Sequence, residues 1–160
     1  MKNIVSAYTL RYERKSCNNL LREPKMSNNV TNDRQLATIF RDIYEDEGCC
    51  PQAKEYCYIL LLNKANVPIG YAKVSEGGTD STVIDMRIAV KAAIDLCATG
   101  AALCHNHPSG NPRPGNADLK MTERLKDALR LFDISLIDHI VLGDGNWFSF
   151  AESEVKTFTK

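Results

Sequence analysis

All three histidines of this 160-residue chain lie beyond residue 100, and two of them stand in the string His105-Asn106-His107. His105 closes a short apolar run, Ala101–His105, that reads as a buried strand. In extended backbone, residues i and i+2 point the same way, roughly 6–7 Å apart, so both imidazoles can turn toward one ion. Pro108-Ser109-Gly110 bends the chain directly afterwards. Eleven residues past His107 stands Asp118, in the first turn of the next helix, where the positive end of the helix favours a carboxylate. Two ring nitrogens and one carboxylate oxygen form the three-ligand set of a catalytic zinc site that leaves its fourth position to water. A plainer reading exists: two surface histidines beside a turn, and an aspartate that merely starts a helix. The turn and the placement of Asp118 favour the metal.

The elements that must position these groups follow from periodicity. Ile4–Tyr12 is rich in β-branched and aromatic residues and predicts a strand, after which Leu20–Thr31 has no period and reads as a loop. Asn32 with Gln35 resembles a capping box, and Leu36, Ile39, Phe40 and Ile43 recur at helical spacing up to about Tyr44. Glu55–Leu62 is a nearly continuous apolar run of strand length, and Val67–Ser75 is a second strand. Asp85 caps a helix whose expected inner face is Met86, Val90, Ala93, Ile94 and Cys97, stopped by Gly100. Ala117–Phe132 is a further helix, with Met121, Leu125, Ala128 and Leu131/Phe132 expected to face inward. Ile134–Leu142 and Trp147–Phe150 flank the turn Gly143-Asp144-Gly145-Asn146 and read as a hairpin. This order predicts an α/β (α+β) fold, a mixed, largely antiparallel sheet flanked by helices. Two parts are expected, an N-terminal strand-and-loop arm over residues 1–31 and one domain over 32–160.

An apolar fraction of 44% and a charged fraction of 25% are those of a globular chain, and no apolar run approaches the ~20 residues of a membrane span. Twenty basic and twenty acidic residues cancel, which argues against nucleic-acid binding by bulk charge. Residues 1–25 nevertheless hold six basic side chains against two acidic ones, a basic arm that also fits a solvated edge strand. The opening residues lack the apolar core and cleavage site of a secretory signal, which predicts a cytoplasmic chain with reduced cysteines. Cys57, Cys97 and Cys104 sit in apolar runs and read as small core residues, and no C-x-x-C pair is present. Vicinal Cys49-Cys50 reads as loop filler.

His-x-His-Pro followed by Asp eleven residues after the second histidine resembles the JAMM motif of the MPN/JAB metalloprotease superfamily. The whole stretch from His105 to Asp118 is similar to the bacterial RadC family, as are Asp138-His139-Ile140 and Ser149-Phe150. Upstream, Glu55–Asn63, Ser75–Thr79 and Met86-Arg87 add to the likeness, which covers about residues 32–152. The resemblance implies an MPN/JAB-like architecture related to that of cytidine deaminases, and a zinc held by His105, His107 and Asp118. It also implies a glutamate on an early strand, and Glu55 falls at that position. On local grounds alone, Glu55 is an ordinary solvated residue at a strand end.

One departure stands out. JAMM enzymes usually carry a serine eight residues after the second histidine, where this chain has Gly115. Its backbone N–H or another donor, such as Ser109, must then hold the oxyanion, or catalysis weakens. The expected function is a zinc-dependent hydrolase of peptide or isopeptide amide bonds acting on an unidentified peptide or protein. The alternative is a catalytically idle MPN-type interaction module, with a DNA-associated role unsupported by the sequence. A zinc nucleobase deaminase is disfavoured because neither H-x-E nor P-C-x-x-C occurs. His139, in an apolar strand, reads as a supporting residue, and Asp138 as a group that orients either it or Arg87.

Overall fold

The run Glu55–Leu62 shows no polar alternation because both of its faces are covered. In the computed structural model, which describes residues 21–25, 28–77 and 84–158, the elements are, in chain order, β1 (Leu21–Arg22), α1 (Asp33–Asp46), β2 (Glu55–Leu62), β3 (Pro68–Gly77), α2 (Met86–Asp95), β4 (Gly100–Asn106), α3 (Asn116–Arg130), β5 (Ser135–Leu142), β6 (Asn146–Ser149) and β7 (Glu154–Thr157). They form one seven-stranded sheet in the order β1-β3-β2-β4-β5-β6-β7, in which only β4 and β5 run parallel. This is the mixed, largely antiparallel α+β architecture expected. The expected strand Ile4–Tyr12, the basic arm up to residue 20 and Cys17 lie outside the described residues.

Side chains alternate across β2 and sort into two cores. Tyr56, Tyr58, Leu60 and Leu62 pack with Leu36, Phe40, Ile43 and Tyr44 of α1. Cys57, Ile59 and Leu61 pack with α2 and α3 on the other side. Helix α1 begins as its sequence suggests: Asn32 Oδ1 accepts the Gln35 N–H at 2.9 Å.

Several expectations need correction. Part of the supposed loop Leu20–Thr31 is ordered as β1, antiparallel to β3, and Val30 is buried with its N–H bonded to Asn66 O. Of the expected inner face of α2, Ala93 is buried and Met86 and Val90 pack half-buried against the same core, joined by Ala89 and Ala92, whereas Ile94 is 44% exposed and Cys97 is exposed too. The helix ends at Asp95, well before Gly100, and the chain leaves it through Cys97 at φ 50°, which turns that side chain out. Likewise α3 buries Leu125 and Leu129, with Met121 and Ala128 half-buried, while Leu131 is 81% exposed and Phe132 53%. Here Asp133 at φ 57° reverses the chain, the Ile134 N–H reaches Leu129 O at 3.1 Å, and Ile134 takes the interior place. Strand β7, beyond the expected hairpin, extends the sheet antiparallel to β6.

Candidate metal centre

The end of β4 and the start of α3 converge as the spacing requires. His105 lies within β4, and His107, just past its end, continues the strand direction by donating its N–H to Leu142 O at 3.0 Å. The i, i+2 pair therefore shares a face. Asp118 stands in the first turn of α3, where its Oδ2 accepts the Gly115 N–H at 2.7 Å and so fixes the carboxylate against the helix start. His105 Nε2 is 3.2 Å from Asp118 Oδ1, His107 Nε2 is 3.5 Å from Oδ2, and the two Nε2 atoms are 3.0 Å apart. Among the described residues this is the one group of three or more His, Cys, Asp or Glu side chains that could hold a metal ion, its ligand atoms all within 4.8 Å of one another.

The donor chemistry fits a cation. His107 Nδ1 lies 2.8 Å from the Asn111 carbonyl oxygen, which has no hydrogen to give, so Nδ1 bears the proton and Nε2 offers a lone pair. That lone pair meets another ring nitrogen and a carboxylate, a knot of acceptors that needs positive charge at its middle. Without an ion, a proton on His107 Nε2 supplies that charge. The hydrogen bond to Asp118 holds His107 above its ordinary value, although burial pulls it down. Burial pushes Asp118 up, but the two imidazoles against it, His105 and His107, outweigh it and hold the carboxyl far below the usual range.

A family model described as a RadC-like JAB domain matches residues 30–155. The chain belongs to that family. A UPF0758 protein of Flavobacterium johnsoniae is 33% identical over 126 residues, which is 79% of this chain and 53% of that protein. A UPF0758 protein of Clostridium acetobutylicum is 40% identical over 99 residues, 62% of this chain and 43% of its own. One from Pelobacter propionicus is 37% identical over 125 residues, 78% and 52% of the two chains. The chain thus spans about half the length of the curated relatives it matches, all three of them bacterial. Among its described residues no helix is long and apolar enough to cross a membrane.

Around the ligands, the RadC-like domain places the remaining sequence candidates unequally. Glu55 opens β2, two residues before Cys57, which pairs with His105, so continuing the antiparallel register by two residues would bring Glu55 level with His107. Its charge acts on both His107 and the buried Cys57 thiol. Ser109 is exposed in the turn, and its Oγ accepts the Asn111 N–H at 3.3 Å. The Gly115 N–H is already committed to Asp118. Asp138 orients neither the His139 ring nor Arg87: it accepts the His139 and Ala151 N–H groups and the Ser149 hydroxyl, while Arg87 pairs with Asp85. His139 is fully buried and, by burial first and the His105 charge second, is held neutral well below its ordinary value.

Sequence reasoning missed two supports. Asn106, the middle of His-x-His, points to the opposite face, where Oδ1 accepts the Tyr56 N–H at 2.8 Å and Nδ2 donates to Pro51 O and Lys54 O. It ties the approach to β2, and with it Glu55, to the ligand strand. Gly143 lets the ligand loop close on the β5–β6 turn, since a Cβ there would meet Gly110 O at 2.4 Å. A glycine in a turn and an asparagine between two histidines carry no periodic signal that could have flagged either.

Proposed function

We propose that this RadC-like domain is a zinc-dependent hydrolase of peptide or isopeptide amide bonds. The observation that supports it is the convergence of His105, His107 and Asp118, with the Glu55 charge acting on His107. A mixed nitrogen and oxygen donor set of this size suits zinc. Bound there, zinc supplies a Lewis acid that polarises a carbonyl and makes water nucleophilic near neutral pH. His105, His107 and Asp118 hold the ion. Glu55 takes the proton of the attacking water and returns it to the leaving amine. In this reading Ser109, whose Oγ accepts a hydrogen bond from Asn111 and keeps its own proton to donate, serves as the oxyanion donor. The substrate is a peptide or protein. The balanced formal charges give nucleic acid no support as a partner in this reading. The setting is the bacterial cytoplasm, where the five described cysteines would persist as the free thiols they are.

Two measurements test it. Purified protein should contain about one zinc per chain, lost in His107→Ala; equal zinc in both removes His107 from the shell. Glu55→Gln should keep the metal and lose ~10²–10⁴-fold in the rate of amide cleavage across a peptide and isopeptide panel. Cleavage by Glu55→Gln at the wild-type rate overturns the mechanism. A second reading, an idle MPN-type interaction module that holds metal without chemistry, is favoured by Gly115, which has no hydroxyl and whose N–H is engaged. Metal binding with no cleavage on that panel would select it.

A further inference from the structure

The pairs Asp138-His139 and Ser149-Phe150 take no part in the chemistry described above, yet they enclose a single ring. The Asp138 carboxylate gathers the Ser149 hydroxyl at 2.7 Å and the Ala151 N–H at 3.0 Å. This folds the end of β6 over β5 and lays the Phe150 ring flat on His139, with centroids 4.6 Å apart and planes at 8°. The His139 ring, fully buried, lies between a ligand on one side and α3 on the other. Its Nε2 is 2.8 Å from His105 Nδ1, and its Nδ1 is 2.7 Å from Thr122 Oγ1.

The proton positions along this chain are determined by its far end. Thr122 Oγ1 lies 2.6 Å from the carbonyl oxygen of Asp118, one turn back along α3. A carbonyl cannot donate, so the single hydroxyl proton of Thr122 is given to it. Oγ1 must then accept from His139, which places a proton on His139 Nδ1 and leaves Nε2 bare. A bare Nε2 in turn requires the proton of His105 to sit on Nδ1. The last consequence is the one that matters: His105 Nε2, the atom facing Asp118 and His107, is left with its lone pair.

We propose that His139 and Thr122 are positioning residues that lock His105 in its Nδ1–H tautomer and thereby set the metal affinity of the site. The circuit starts on the backbone of one ligand, Asp118, and ends on the ring of another, so the two ligands are prepared together. This deepens the zinc-hydrolase reading and rests on it only where affinity is concerned; the tautomer is a property of the metal-free chain. Thr122→Val keeps the size and branching of a half-buried side chain and removes the acceptor, so His139 is freed to carry its proton on Nε2 and drive His105 to the wrong form.

The test uses the 160-residue chain labelled with nitrogen-15 histidine, whose three rings are few enough to assign. In metal-free wild type, the ring shifts should give His105 as Nδ1–H; Thr122→Val should move it toward Nε2–H, and Thr122→Ser should restore it. Zinc affinity, read by competition with a chromophoric chelator, should fall ~10–100-fold in Thr122→Val and recover in Thr122→Ser. A wild-type His105 protonated on Nε2, or a Thr122→Val protein with unchanged tautomer and affinity, overturns the proposal. A wild type that shows the Nδ1–H form and its loss in Thr122→Val, but binds no zinc, upholds the lock and defeats the hydrolase reading instead.

Discussion

At the scale of single residues, Gly115 is where the two proposed readings, hydrolase and idle module, divide. It is the N-cap of α3, with extended backbone at φ −92°, and a Cβ there would meet nothing closer than Asp118 Oδ2 at 3.7 Å. That is ordinary contact, and serine is at least as good an N-cap as glycine. Gly115→Ser should therefore fold with stability unchanged or raised by a few tenths of a kcal/mol, as thermal denaturation will show. If a hydroxyl here serves the oxyanion, the variant should also gain in kcat up to the ~10²-fold scale that one such donor is worth. A gain would show that the glycine limits the native rate. The candidate metal group His105, His107 and Asp118 was legible because its members lie close along the chain, with strand spacing and a helix start to interpret them. Asn106 and Thr122 were not, because their roles depend on which face a neighbouring element presents.

Among the elements, helix phase is where the sequence and the fold part company. Apolar spacing on α3 serves equally well for Leu131/Phe132 and for Leu129, and only the reversal at Asp133 decides which side chain stays inside. The consequence is measurable. Leu129→Ala, at a fully buried position, should cost about 2–5 kcal/mol, whereas Leu131→Ala should stay within about ±0.5 kcal/mol by chemical denaturation. Equal costs would mean that the end of α3 is covered. On α2 the same ambiguity was settled by size, since three alanines let the helix lie close to the sheet. Strands were easier: burial on both faces of β2 and the turn before β6 leave strong marks in residue type. The short strands β1 and β7, two and four residues long among the described residues, leave almost none.

For the whole molecule, the core under α1 contains four tyrosines, Tyr44, Tyr56, Tyr58 and Tyr71, in edge and tilted ring contacts. Burial, then the hydrogen bond to Glu47, pushes the Tyr71 phenol up to about 12 from its ordinary 10.0, and burial raises Tyr44 and Tyr58 as well. A phenol raised in the folded state stabilises the protein fully below pH 10, and that contribution is lost as pH climbs through about 12. Unfolding should therefore set in across this window, with phenolate absorbance and loss of circular dichroism rising together, and Tyr71→Phe should soften the fall. Phenolate appearing well before unfolding would place these rings in water. The lone parallel pairing has a consequence in time. Hairpins β2–β3 and β5–β6–β7 close across short turns, but His105 pairs on one side with Cys57 and on the other with Val141, each dozens of positions away along the chain. The ligand strand is thus the seam along which two locally formed halves are joined, and non-local pairing of that kind is slow. During refolding, capture of zinc should lag behind the first gain of secondary structure, so that an incomplete chain carries no ion and only a finished one is armed.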